Sequence, residues 1–240
     1  MEIKKVHCLF EQSGTWKNAF KSLGYEAEDY DISDTFGETD HVVDLFGEID
    51  KAHDGQESIF DFIQKDDLIV AFFPCTRFEC KIPLNFRGEG ATQKNWTDLQ
   101  KLEYSMQLHE ELHFLYEELC KLCKICLMGG VRMIIENPYT QPHYLTSYFP
   151  IRPKVIIKDR SAYGDYFKKP TQFFFLNCDP ESNIVMTPIQ IVPFATKDNC
   201  ARKIEKDGTR QEKRSLMHPQ FAERFIKEYI LTKDNKIWME

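Results

Sequence analysis

Apolar residues in this chain gather in short runs, separated by stretches in which they recur at helical spacing. Lys4-Lys-Val-His-Cys-Leu-Phe10 reads as a first strand. The polar turn Glu11-Gln-Ser-Gly14-Thr15 follows, and Trp16, Ala19, Phe20 and Leu23 then repeat at helical spacing up to Gly24. Tyr25 to Asp31 reads as a second strand with interspersed polar residues, so the chain opens as a βαβ unit with an acid at the second strand's end. His41-Val-Val-Asp44 is a weaker third element. Ile59 to Ile63 is a short helix leading into the apolar strand Leu68 to Phe73.

The second half continues the alternation. Lys81 to Gln93, with Pro83, Gly88 and Gly90, is turn-rich and expected as a loop. A long helical tract follows from Thr97 to Leu127, stopped by Gly129-Gly130, and the buried strand Met133-Ile-Ile135 begins at once. Pro142 to Leu145 opens another short helix. Lys154 to Ile157 and Gln172 to Leu176 read as strands, and a final helix runs from Pro219 through Phe221, Ala222, Phe225, Ile226 and Ile230. Residues 179–214 are polar, irregular and punctuated by Pro180, Pro188 and Pro193, as an insertion or substrate-facing region would be. The pattern predicts a single α/β domain built on a doubly wound, mostly parallel sheet.

Composition narrows the class. With 42% apolar and 29% charged residues the chain is an ordinary soluble domain, no run reaches the roughly 20 apolar residues of a membrane span, and an intracellular, cytoplasmic setting is expected. The eight cysteines, in a chain with no expected export signal, read as thiols. A formal charge of −7 argues against broad adhesion to nucleic acid, although Lys168, Lys169, Arg202, Lys203, Lys206, Arg210, Lys213 and Arg214 could supply a local basic face.

Two strand ends carry candidate chemistry. Pro74-Cys75-Thr76-Arg77-Phe78 follows the Leu68 strand, and Glu136-Asn137-Pro138 follows the Met133 strand. Open α/β sheets put their chemistry at such ends. A thiolate at Cys75 would be a nucleophile and Glu136 an acid able to meet a substrate nitrogen. Either residue alone reads equally as a buried cysteine or a glutamate closing a strand. Cys120, Cys123 and Cys126 lie three apart on the long helix and read as a packing seam, because a zinc site wants a fourth converging ligand. His109 and His113 read as a solvated face. No metal is expected.

The ordered set resembles the DNA cytosine methyltransferases that modify carbon 5, in their short, phage-like form. That resemblance implies the methyltransferase type of Rossmann-like fold, S-adenosylmethionine as cofactor, and cytosine in DNA as substrate, as in restriction-modification systems. It assigns Phe10, Gln12, Gly14 and Thr15 to the cofactor loop and Asp31 to the ribose. It assigns Asp44 to the adenine side and Pro74-Cys75 to the nucleophile motif, with Pro74 against the cofactor. Glu136 becomes the catalytic acid, and Arg77, Lys168, Lys169 and Arg210 become candidate phosphate contacts, with the two lysines reading equally as a solvated charged face. Gln12 stands where that family has glycine, and Pro138 where it usually has valine. Two alternatives stand beside this reading: a non-catalytic relative that binds nucleic acid or a partner protein in defence or counter-defence, and an enzyme using Cys75 on a free pyrimidine nucleotide.

Overall fold

The computed structural model describes residues 3–78, 82–140, 143–190, 192, 204, 208–232 and 237–238, leaving out the side chains of 82, 83, 210, 211, 237 and 238. The elements in chain order are β1 (Lys5–Leu9), α1 (Thr15–Ser22), β2 (Glu26–Asp31), β3 (His41–Val42), α2 (Leu45–His53), β4 (Leu68–Ala71), α3 (Ile82–Phe86) and α4 (Asp98–Gly129). They continue with β5 (Arg132–Pro138), α5 (Tyr144–Tyr148), β6 (Val155–Ile157), β7 (Thr171–Leu176), β8 (Ile184–Val185), α6 (Arg210–Ser215), α7 (Pro219–Phe225) and β9 (Ile237–Trp238). Helix α3 lies inside the segment expected as a loop. The final helix ends in a π turn, Ile226–Ile230.

Seven strands form one sheet in the order β3-β2-β1-β4-β5-β7-β6. The pairs from β3 to β5 are parallel. Strand β7 is reversed: Ile135 pairs with Phe174 on one side and Ile156 with Gln172 on the other, both antiparallel. The expected mostly parallel α/β sheet is therefore present as a mixed one. The chain winds outward from β1 through β2 to β3 and returns to β4, so the topological switch lies between β1 and β4. Ligands of such sheets bind beyond the carboxyl ends of the strands at that point.

Both faces are covered, which is why the strands are nearly continuous apolar runs. Val6, Cys8, Val70, Ile134 and Phe173 face α1 and α7, where they meet Trp16, Phe20, Phe221 and Phe225. Leu9, Ile69, Met133, Ile135 and Phe174 point to the opposite face, toward Leu45 and Ile49 of α2 and Leu119, Leu122, Cys123 and Cys126 of α4. Trp16 anchors α1, ringed by Phe72, Phe221 and Phe225, with its indole N–H donated to Met217 Sδ at 3.2 Å.

Local signals set the ends of α4. Thr97 and Gln100 form a reciprocal capping box at its start, and Gly130 closes it in the left-handed region, at φ 69°. Asn177, itself at φ 54°, donates its side-chain amide to the carbonyls of Cys126 (2.9 Å) and Val131 (2.8 Å), fixing that end against the sheet. The three cysteines of α4 are the expected seam: burial pushes the Cys126 thiol up to about 12. Among the described residues, no helix is long and apolar enough to cross a membrane. Nor does any group of three or more His, Cys, Asp or Glu there have a metal-holding arrangement.

Candidate functional site

The turn after β1 opens with a strained residue. Phe10 adopts φ 59°, a conformation bulky side chains rarely take, and such outliers collect at functional sites. Its ring packs on Phe46 of α2 (5.4 Å between centroids) and edge-on against buried Phe73 beyond β4 (5.3 Å). Glu11 then turns inward. One of its oxygens accepts from the backbone N–H of Ser13 (2.9 Å) and of Thr15 (3.3 Å) and from the Ser13 hydroxyl. Its other oxygen, Oε2, is buried without a hydrogen-bond partner among the described residues. Burial raises this carboxyl to about 6 against the pull of the Ser13 and Thr15 donors.

Gly14 caps α1 in the left-handed region, at φ 67°. A Cβ there would stand 2.7 Å from Oε2 of Glu38 and would push that side chain aside, while the left-handed backbone itself favours glycine. Glu38 is held by Asn18, and Gln12 accepts from the Thr35 backbone N–H at 3.3 Å. The loop after β2 is thus drawn across the amino end of α1. Buried Lys17 secures the same loop, with Nζ 3.1 Å from Oδ1 of both Asp29 and Asp40 and donating to the Glu38 carbonyl.

Asp31 ends β2, and its carboxylate accepts from the Ser33 N–H at 2.9 Å. Burial raises its pKa, with the Ser33 and Ile32 N–H groups opposing. Asp44 caps α2 by accepting from the Phe46 N–H at 3.2 Å. That capping duty accounts for an acid at position 44 whatever else it does.

Beyond β4, Pro74 and Cys75 are partly exposed, and the Cys75 carbonyl accepts from the Phe78 N–H at 2.9 Å to form a turn. Phe78 is wholly buried, stacked near Phe73 and Tyr144, and anchors that turn. Glu136, Asn137 and Pro138, expected just after the strand, are the last residues of β5 and pair with Phe173, Gln172 and Thr171 of β7, and the side-chain amide of Asn137 donates to the Phe73 carbonyl at 2.9 Å. The adjacent central strands β4 and β5 thereby bring the Cys75 turn and Glu136 to the same carboxyl-end rim of the sheet, where the buried Asn137–Phe73 hydrogen bond joins the two segments.

Glu136 is buried, and burial raises its pKa, opposed by the charges of Lys169 and Arg160. A carboxyl in this state keeps its proton to a higher pH and can donate it. Arg160 lies 3.7 Å from Glu136 Oε1 and is paired on its other side with Asp165. His143, close to Phe78, is buried as well, and burial lowers it to about 4.

The basic residues take other partners. Arg77 is bound to Glu111 of α4, and Lys168 is exposed, 3.6 Å from Asp159. Lys169 lies within electrostatic reach of Glu136. Arg210 opens α6, and its side chain lies outside the described residues, as do Arg202, Lys203 and Lys206.

Sequence reasoning placed Glu11 in the turn after the first strand without giving it a role of its own, and did not single out Lys17, Arg160 or Asp165. Arg160 and Asp165 have no pattern that marks them before the fold joins them. No protein-family model matches the chain, and no curated protein matches it significantly.

Proposed function

We propose that this protein transfers a methyl group from S-adenosylmethionine to carbon 5 of cytosine in DNA, through a transient bond to Cys75. The observation that carries the reading is the Asn137–Phe73 hydrogen bond, which ties the turn bearing Cys75 to the strand end bearing Glu136. A nucleophile and a carboxyl whose burial favours its protonated form, at adjacent strand ends, are what the reaction needs. The methyltransferase type of fold is supported by the strand order, with β7 alone reversed beside β5.

The residues at the ends of β1 and β2 fit the cofactor's chemistry. Glu11 has a buried carboxylate oxygen without a partner among the described residues, suited to a cationic amine. Asp31 would take ribose hydroxyls, and the partly exposed rings of Phe10 and Phe46, backed by buried Phe73, would hold a purine ring. When bound, the cofactor supplies an electrophilic methyl group on a sulfonium.

The thiolate of Cys75 adds to carbon 6 of the cytosine while Glu136 gives a proton or hydrogen bond to ring nitrogen 3. Electron density moves to carbon 5, which would take the methyl group as the sulfonium leaves as a neutral thioether, and Glu136 recovers any proton given to nitrogen 3. Removal of the carbon 5 proton by a base then expels the Cys75 thiolate and restores the ring. A base in a duplex must leave the stack to reach these groups.

The test has two readouts. Calorimetric titration with S-adenosylmethionine should give saturable binding that Gly14→Trp abolishes. An oligonucleotide containing 5-fluorocytosine, which cannot lose its carbon 5 substituent as a proton, should be trapped covalently by the wild type and not by Cys75→Ser. Neither binding nor trapping would overturn the proposal; trapping of the free fluorinated nucleotide alone would move the substrate to a nucleotide. One observation favours a non-catalytic relative as second reading: the Gln12–Thr35 and Glu38–Asn18 bonds hold the β2 loop over Gly14. Binding that appears only in Glu38→Ala would decide for it.

A further inference from the structure

We propose that Arg160 is a positioning residue for Glu136, its guanidinium held from behind by Asp165 and presented to the carboxyl at the end of β5. The inference rests on the proposed role of Glu136 and adds a residue that the motif resemblance leaves out. Arg160 sits in the 3-10 turn Arg160–Tyr163 between β6 and β7, capped by Asp159, and has no exposed surface. A buried guanidinium requires anionic partners, and two carboxylates compete for it. Its Nε donates to Asp165 Oδ2, while Nη1 lies 3.7 Å from Glu136 Oε1. Asp165, equally buried, accepts from the His218 backbone N–H at 2.7 Å, immediately before α7. The guanidinium also lies over the Phe221 ring, 5.2 Å from its centroid.

This arrangement leaves capacity at one point. Arg160 Nη1 and Glu136 Oε1 are both buried, both without a hydrogen-bond partner among the described residues, and they face each other. At 3.7 Å they interact through charge rather than a hydrogen bond, so the carboxyl is oriented without being locked as a carboxylate. The groups acting on Glu136 are the cations Arg160 and Lys169, the anion Asp165 and the Thr171 hydroxyl. Because Asp165 shares Arg160, removing either partner should move Glu136 in opposite directions. A purely structural role for the ion pair would not give that sign reversal.

The experiment titrates Glu136 in the full chain by carboxyl carbon NMR, with Glu136→Gln to assign the resonance. Loss of a cation at this range should raise the Glu136 midpoint by roughly 1–3 pH units in Arg160→Met. Asp165→Asn should lower it. Should Arg160→Met fail to fold, Arg160→Lys keeps the charge but not the planar fork and should give a smaller rise. Fluorocytosine trapping by the same variants, followed against pH, should lose its high-pH limb at a midpoint displaced in the same direction. A Glu136 midpoint unchanged in folded Arg160→Lys and Asp165→Asn would overturn the inference. Midpoints that move as expected in a protein that neither traps fluorocytosine nor binds S-adenosylmethionine would support the coupling and overturn the functional reading instead.

Discussion

Lys17→Met is the substitution whose outcome the structure specifies most fully. Lys17 is 3% exposed, and its ammonium serves Asp29, which is wholly buried, and Asp40, which is partly exposed. Methionine matches the length of lysine and keeps the apolar stem, so the packing loss is small. What remains is a buried carboxylate on Asp29 that keeps the Asp40 backbone N–H (2.7 Å) as a donor but loses its cation, and whose Oδ2 already lacks a hydrogen-bond partner among the described residues. Asp40 can turn to water and contributes little. Breaking a buried pair from one side costs about 3–5 kcal/mol, or roughly 6–20 °C in melting temperature for a chain of this size. The cause can be separated from packing by pH. Burial already raises the Asp29 pKa, and Lys17 holds it down; without Lys17 it rises further. A carboxyl raised above its unfolded value gives up stability as pH rises and regains it as pH falls. The deficit should therefore be largest near about pH 8 and fall by about half or more near about pH 4.5, and adding Asp29→Asn should restore most of it. Urea unfolding followed by far-ultraviolet circular dichroism at both values decides the matter. A loss below about 1 kcal/mol, or one equal at both pH values, would refute the reasoning.

Three further outcomes follow from the packing and polar groups. His143 is buried neutral and lowered to about 4, so the unfolded chain protonates first; stability present above about 6.5 should fall by up to ~3 kcal/mol as pH drops toward 4, and His143→Phe should lose that part of the pH slope in urea melts. Asn177 holds a left-handed backbone and two carbonyls, so Asn177→Ala should be about 1 kcal/mol less stable than Asn177→Gly, the reverse of the usual order, as read by denaturant midpoints. Trp16→Ala should cost about 3–5 kcal/mol and lower a calorimetric melting temperature by roughly 6–20 °C.

Much of the layered architecture is legible because period dictates it. Val6 and Cys8 alternate with Leu9, and the strands from 68 and 133 are apolar throughout, as strands covered on both faces must be. The long helix is read correctly to within two residues at its end, since Thr97 and Gly130 punctuate it. The reversal of β7 is not legible: Thr171 to Leu176 is an apolar run, and nothing in such a run states its direction. Helix α3 was hidden by the proline and glycines around it. At the site, backbone position was readable and side-chain allegiance was not. Arg77 and Lys169 look like phosphate ligands in a string of letters, whereas Glu111 and Glu136 come within their reach only once α4 and β5 are in place. Gln12 reads as a missing glycine until its amide is seen to bridge to Thr35.

The Asn137–Phe73 hydrogen bond has a mechanical consequence. It joins two neighbouring strands just past the last rung of their ladder, and so acts as a rivet at the rim of the sheet. Displacements of the turn after β4 are transmitted to the end of β5 as a shared translation, and the gap between the two changes less than either moves. Substitutions in the turn will therefore shift where the pair points more readily than how far apart its members stand.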